Sequence, residues 1–148
     1  MTSETIETVE TAIEKYVQER MAKGKTVARE HFIAYAYLKH GGGEVREFMK
    51  KAAGLSRYYM EFLRVMENPF KGPEMAWFAS MVSVGIFSAY LMGVEDERLL
   101  GIVVFSGTLV HAFSLVRMVA RKWSDIGVMI AIYREIAEIA DNEMAGAA

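Results

Sequence analysis

The chain has 148 residues, of which 53% are hydrophobic, and its 17 basic and 19 acidic residues leave a formal net charge of −2. This length suits one compact domain, or one small domain with a membrane segment, and excludes two independent cores. The charge indicates no basic surface of the kind that binds nucleic acid, and the absence of cysteine excludes disulfides and thiolate metal sites.

The N-terminal part, residues 1–67, is predicted to form a cytoplasmic domain of four short helices. Apolar residues at helical spacing indicate the first helix over 4–21, and Gly24 ends it. The second helix covers 26–40. Its centre, residues 32–38, is apolar on all sides, so we expect its neighbours to enclose it.

A third and a fourth helix are predicted on either side of Gly54. The third covers 44–53 and the fourth covers 55–67, because glycine commonly marks a helix end. The residues expected to face inward from these two helices are Val45, Phe48, Met49, Ala52, Leu55, Tyr58, Tyr59, Phe62 and Met66.

Two long runs without a formal charge predict a transmembrane hairpin over 75–116. The first run, 75–94, has twenty residues, which a helix extends over about 30 Å, the thickness of a hydrocarbon core. The second run, 99–116, has eighteen residues, and the four residues between the runs suffice only for a tight turn. A linker, 68–74, contains two prolines and precedes the hairpin. The alternative interpretation is a pair of buried core helices in a soluble protein.

Charges beside the runs predict a multi-pass protein of the cell membrane with both termini in the cytoplasm. The turn between the runs is acidic, whereas basic residues flank their other ends. These basic residues are Arg57, Arg64, Lys71, Arg117, Arg121 and Lys122. The acidic start of the chain differs from a secretory signal, so we expect the internal runs to direct insertion into membrane lipid.

A polar face inside the second run is the candidate intramembrane site. Gly107, Thr108, His111 and Ser114 recur at helical spacing and therefore share one side of the helix. An ionisable group at membrane depth suggests a proton-sensitive gate or relay. Alternatively, His111 stays neutral and hydrogen-bonds a serine of the facing helix, while Gly107 permits close helix packing.

The C-terminal segment, residues 117–148, is predicted to form a cytoplasmic amphipathic helix with a short tail. Its apolar residues at 3–4 spacing are Ile126, Met129, Tyr133, Ile136 and Ala140. Its apolar run has too few residues to cross the bilayer again. Two roles fit: packing against the N-terminal helices, or pairing with the same segment of another chain.

Residues 4–67 resemble one repeat of the Clp N-terminal domain. The residues that carry the resemblance are Ala12-Ile13, Lys23-Gly24, Val27, Glu30-His31-Phe32-Ile33, Gly41 to Gly43, Phe48-Met49, Gly54 and Leu63. That family carries two tandem repeats, whereas this chain has one followed by the hairpin. The resemblance therefore implies a homo-oligomer, with a dimer favoured, in which two chains supply the two halves.

The same resemblance implies a surface that binds peptides, or a protease or chaperone partner, with Glu30, His31 and Phe32 as candidate binding residues. It brings no catalytic residue. His31 and His40 could be read as metal ligands, but their spacing of nine residues does not suit a shared metal on one helix, so core or capping roles are favoured.

The sequence predicts an all-α protein with no catalytic, cofactor-binding or metal-binding residues. The leading hypothesis is a membrane-anchored, self-associating and non-enzymatic binding or adaptor module that recruits peptides or protein-quality-control partners. The alternative is a small oligomeric channel or transporter component with His111 in the membrane path. An enzyme is disfavoured because no paired titratable groups lie at membrane depth.

Overall fold

The computed structural model describes residues 2–41, 43–67 and 72–146, and within them the chain is all-α, as predicted, without strands. In these ranges five α-helices follow one another, and a 3₁₀ turn, Glu95–Glu97, connects the last two. The helices are α1 (Thr2–Lys23), α2 (Lys25–Lys39), α3 (Glu44–Met66), α4 (Pro73–Met92) and α5 (Arg98–Gly146). Two compact units result, the first from Met1–Arg64 with Gly127–Ala148, the second from Val65–Ile126.

The first unit encloses one hydrophobic core between α1, α2, α3 and the C-terminal part of α5. Three aromatic rings pack against one another at its centre. The Tyr16 and Phe32 rings meet edge to face with centroids 5.7 Å apart, and the Phe32 and Phe48 centroids lie 6.0 Å apart. Ile132 and Ile136 of α5 belong to the same core. Two roles were predicted for the C-terminal segment, and in the structure it packs against the N-terminal helices.

This arrangement corrects the predicted domain of four N-terminal helices. Gly54 does not end a helix: α3 continues through it to Met66, so the third and fourth predicted helices are one. The fourth helix of the bundle is instead the part of α5 that follows Gly127. The helical unit therefore does not end at the predicted boundary, residue 67. It also includes the part of the chain from Gly127 onward, which shares its core.

The predicted enclosure of α2 is also wrong. Its buried residues are Ala28, Phe32 and Ala36, which recur every four residues on one face. Tyr37 is 50% exposed and Leu38 is 88% exposed. An amphipathic helix thus needs only one stripe for the core, and its remaining apolar residues stay on the surface.

In α3 the predicted inner face is confirmed in the first part of the helix and only in part beyond Gly54. Val45, Phe48, Met49 and Ala52 are buried as predicted. Beyond Gly54 the exposed side chains include three that were expected to face inward, namely Tyr58, Phe62 and Met66. Leu55, in contrast, packs against the core, and the centroid of the Tyr59 ring lies 5.3 Å from that of the Tyr133 ring, so these two residues face the bundle as predicted.

The second unit contains an antiparallel pair of helices. Near the turn, Gly101 of α5 lies against Ser88 and Met92 of α4. At the other end, the ammonium group of Lys122 lies 2.5 Å from a carboxylate oxygen of Glu74. The helix α4 begins at Pro73, inside the predicted linker, whose residues 68–71 lie outside the described part of the chain.

Both helices of this pair are long and apolar enough, by length and composition, to cross a membrane. Only 6% of the most apolar stretch of each is buried within the structure. Large side chains such as Ile86, Phe87, Val110 and Phe113 are more than half exposed. The pair therefore presents an apolar surface on most of its circumference.

Candidate functional site

A groove runs along one side of the pair formed by α4 and α5, and it consists of two adjoining clefts. The first has a volume of about 390 Å³ and the second about 290 Å³. Trp77, Met81 and His111 line both clefts, so the two are continuous. His111 marks the point where they meet.

The structure brings the four residues of the predicted intramembrane polar face to this groove. Gly107, Thr108 and His111 line the first cleft, and His111 and Ser114 line the second. They come together because positions three or four residues apart lie on one side of a helix. On α4 the matching positions are Trp77, which borders both clefts, and Ser80, which borders the first.

The serines of α4 do not form the hydrogen bond to His111 that the sequence suggested. Each hydroxyl instead donates to a carbonyl oxygen of its own helix. Ser80 donates to Ala76 at 2.9 Å and Ser83 to Ala79 at 3.0 Å. Ser88 and Thr108 donate to carbonyl oxygens of their own helices in the same way. Such bonds satisfy a hydroxyl locally and leave little capacity to donate across helices.

The close approach between the two helices occurs at Gly101 and not at Gly107. A Cβ atom added to Gly101 would lie 2.6 Å from the backbone nitrogen of Met92 and 2.9 Å from the carbonyl oxygen of Ser88. A Cβ atom added to Gly107 would meet nothing within 4 Å. Gly101 is therefore required by the packing of this pair, whereas Gly107 faces open space in the groove.

Glu74, which lines the second cleft, forms an ion pair with Lys122 that was not predicted from the sequence. Glu74 lies in the first turn of α4, and its side chain is 22% exposed. Counting outward from the turn at Glu95–Glu97 places these two residues at similar distances along the antiparallel helices. This register was the signal in the sequence that could have revealed the pair.

In the first unit, the three candidate protein-binding residues have different environments. Phe32 is only 4% exposed and lies in the core, so it is not available to a partner. Glu30 and His31 lie on the surface. His31 Nδ1 is 2.9 Å from a carboxylate oxygen of Glu19, and this hydrogen bond lowers the pKa of Glu19.

His40 lies at the end of α2 and has a structural environment. Its backbone N–H donates to the carbonyl oxygen of Ala36, which caps the helix. Its ring stacks on Phe48 with centroids 4.8 Å apart, and its Nε2 is buried without a hydrogen-bond partner. Among the described residues, no three His, Cys, Asp or Glu side chains are grouped so that they could hold a metal ion.

A polar cluster around Glu135 joins α1 and α5 in the first unit. The guanidinium group of Arg20 makes two bonds to the Glu135 carboxylate, at 2.8 and 3.1 Å. The Tyr16 hydroxyl donates to the same carboxylate at 3.3 Å, and Lys25 lies 3.7 Å from it. The hydrogen bond from Arg20 is the main reason why the pKa of Glu135 is lowered. These charged groups therefore hold α1 and the C-terminal part of α5 together.

Comparisons with known proteins add no relative: no protein-family model, no curated protein and no solved structure matches the chain. The resemblance to the Clp repeat stays a prediction from the residues quoted for it. Among them, Phe32, Phe48 and Met49 are buried in the core, and Gly54 lies within α3. Buried apolar residues at these spacings suit any small helical bundle, so they distinguish the Clp repeat poorly from other bundles.

Proposed function

We propose that the chain is a membrane-anchored, self-associating and non-enzymatic binding module. The helices α4 and α5 would cross the bilayer, and the four-helix unit would present a binding surface in the cytoplasm. The observation that carries this proposal is the exposure of the apolar pair. A core helix of a soluble protein has its apolar stretch mostly buried, whereas only 6% is buried here.

The proposed orientation rests on the charges at the two ends of the pair. Glu95, Asp96 and Glu97 form the turn between the helices. Arg117, Arg121 and Lys122 follow the second apolar run. Since basic residues are retained on the cytoplasmic side, the turn would face outward and both termini inward. Trp77 and the ion pair of Glu74 with Lys122 would lie near the cytoplasmic interface, where amphipathic side chains are favoured.

The proposed binding surface is the exposed face of α2. Glu30 and His31 lie there, and Leu38 is one helical heptad beyond His31 and 88% exposed. A large apolar side chain flanked by charged and polar groups is a suitable contact for a peptide or a protein-quality-control partner. The Clp-repeat resemblance is the second reason for this choice of partner.

Two experiments test the proposal. Carbonate extraction and ultracentrifugation test the anchor: we expect the chain in the membrane pellet, and a folded, monodisperse chain in the detergent-free supernatant would refute it. A pull-down with solubilised protein tests binding. Peptide, chaperone or protease partners should be recovered by the wild type and lost with Leu38→Asp. They should also be recovered by the control Met21→Asp, since Met21 is an apolar residue of α1 that is 68% exposed and lies outside the proposed surface. Recovery of no such partner would refute the binding role.

A second candidate function, a channel or transporter component, is favoured by the groove. His111, Thr108 and Ser114 line it together, which would give a polar path if several copies surrounded it. Ion flux into liposomes that contain the purified protein discriminates the two functions. Flux that His111→Ala abolishes would favour the channel, and the absence of flux in the wild type would favour the binding module.

A further inference from the structure

The imidazole of His111 is a large polar group in the middle of the groove along the apolar pair. It is exposed in the groove, and no hydrogen bond joins it to another of the described residues. The hydroxyl groups of Ser80 and Thr108, which line the first cleft with it, already donate to their own helices. In hydrocarbon a polar group without a partner is strongly unfavourable, since no water is available to replace the missing bond.

The groove beside His111 is open enough for another helix to approach. At Gly107 an added side-chain carbon would meet nothing within 4 Å, in contrast to Gly101, where the partner helix of the same chain already fills the space. Small residues at such positions allow backbones of membrane helices to come close together. The groove is thus a packing surface that this one chain does not use.

We propose that a second copy of this chain covers the groove, so that two pairs of helices form a four-helix membrane bundle with the two His111 side chains facing each other. The proposal rests on the membrane placement proposed above and identifies the surface of self-association. In a two-fold symmetric pair, a residue that lies at the axis meets its own copy, so a residue at that position must be able to pair with itself.

A second copy fits this surface better than lipid does. A neutral imidazole carries one N–H donor and one acceptor nitrogen, so two copies of His111 form a hydrogen bond with each other. An acyl chain offers neither donor nor acceptor and would leave both imidazoles unsatisfied. Glu74 borders the second cleft, but its carboxylate is held by Lys122 at 2.5 Å and is not the partner.

The chain has no cysteine, so single introduced cysteines report contacts between copies without background. Ser114→Cys and Gly107→Cys place a thiol in the groove. Phe113→Cys and Leu109→Cys place one at similar depth on the opposite, exposed side of α5. In oxidised membranes we expect disulfide-linked dimers from the groove positions and none from the opposite positions. Equal cross-linking on both sides, or cross-linking only at Phe113→Cys, would overturn the proposal.

A second variant tests the role of His111. In the Ser114→Cys background, His111→Leu should lower cross-linking and raise the dissociation constant of the dimer about three- to tenfold, the effect of one interhelical hydrogen bond. An unchanged dissociation constant would overturn the pairing of the imidazoles. Membrane pelleting is measured on every variant: a chain in the supernatant refutes the anchor, whereas a pelleted monomer refutes only this interface.

Discussion

Arg20 and Glu135 are 115 residues apart in the chain and form a two-point ion pair, with Nε to Oε2 at 2.8 Å and Nη2 to Oε1 at 3.1 Å. The planar guanidinium group matches the carboxylate, which makes this the strongest geometry available to two charged side chains. Glu135 is 15% exposed and Arg20 is 32% exposed. The contact therefore secures the C-terminal part of α5 to α1 from a partly desolvated position.

Replacing Glu135 by glutamine tests this contact. Glu135→Gln keeps the shape and removes the charge, so we expect the free energy of unfolding to fall by about 1–2 kcal/mol. The control is Asp141→Asn, because the pair of Asp141 with Arg57 is exposed on both sides and should be worth less than about 1 kcal/mol. Urea-induced unfolding in detergent, followed by circular dichroism, measures both. If both variants lost the same free energy of unfolding, the ion pair of Glu135 with Arg20 would contribute no more than an exposed one.

Two tyrosines should ionise late in an alkaline titration. Burial, then the nearby Glu135 charge, raises the pKa of Tyr16 to about 12. The hydrogen bond to Glu10, then burial, raises that of Tyr59 to about 12. Both folded-state pKa values lie above the ordinary 10.0, so the folded state favours the protonated phenols. The stability that these two phenols contribute is complete below about pH 10 and is lost as the pH rises towards 12.

Tyrosinate absorbance checks this titration. Tyr16→Phe and Tyr59→Phe should each remove one late-ionising phenol. Ionisation of every phenol together near pH 10 in the folded wild type would contradict the expected order.

Hydrophobic periodicity predicted the helical class and most of the core, since Val45, Phe48, Met49 and Ala52 share one face of α3 as expected. It failed at Gly54 because a glycine inside a helix costs only about 1 kcal/mol relative to alanine. Burial of the apolar side chains of Phe48, Met49 and Ala53 in the same helix outweighs that cost. The break inferred from glycine alone was therefore overridden by packing.

The partner of the C-terminal segment could not be predicted for a different reason. A stripe of apolar residues indicates that one face of a helix is buried, but it does not indicate which other segment buries it. The same limit applies to the groove: helical spacing placed Gly107, Thr108 and His111 together, but it did not reveal that Gly101 carries the close packing. The partner of the C-terminal segment and the close packing at Gly101 both depend on which residues of different helices face each other.

The burial of Ile136 gives a test of the shared core. This residue is fully buried in the first unit, so Ile136→Ala should lower the free energy of unfolding by about 2–5 kcal/mol through lost burial and an unfilled cavity. Val128→Ala on the same helix is the control, because Val128 is 43% exposed and should cost well under 1 kcal/mol. Urea unfolding measures both. A tolerated Ile136→Ala would mean that α5 does not complete the core.

Gly54 and Gly24 should respond to alanine in opposite directions. Gly54 lies in α3 with open space around an added Cβ, so Gly54→Ala should stabilise the fold by about 0.5–1 kcal/mol. Gly24 has a φ of 92°, which residues with a side chain rarely adopt, so Gly24→Ala should destabilise by about 1 kcal/mol. Thermal unfolding measures both. Destabilisation by Gly54→Ala would instead indicate a helix break there.

Gly101 is the position where the pair of α4 and α5 should be most sensitive to a single methyl group. An alanine Cβ would lie 2.6 Å from the backbone nitrogen of Met92, which is too short for contact with backbone that cannot rotate away. The helices must therefore separate near the turn. Gly107→Ala is the matched control, because its added Cβ meets nothing within 4 Å in the same chain.

Spin labels on cysteines at Phe87 and Val103, both exposed, report the separation of the two helices. With Gly101→Ala we expect the distance between the labels to increase and its distribution to broaden, whereas Gly107→Ala should leave it unchanged. The measurement is made at high lipid-to-protein ratio, where contacts between copies are dilute. An unchanged distance with Gly101→Ala would show that the approach of Gly101 to Met92 is not what holds α4 against α5.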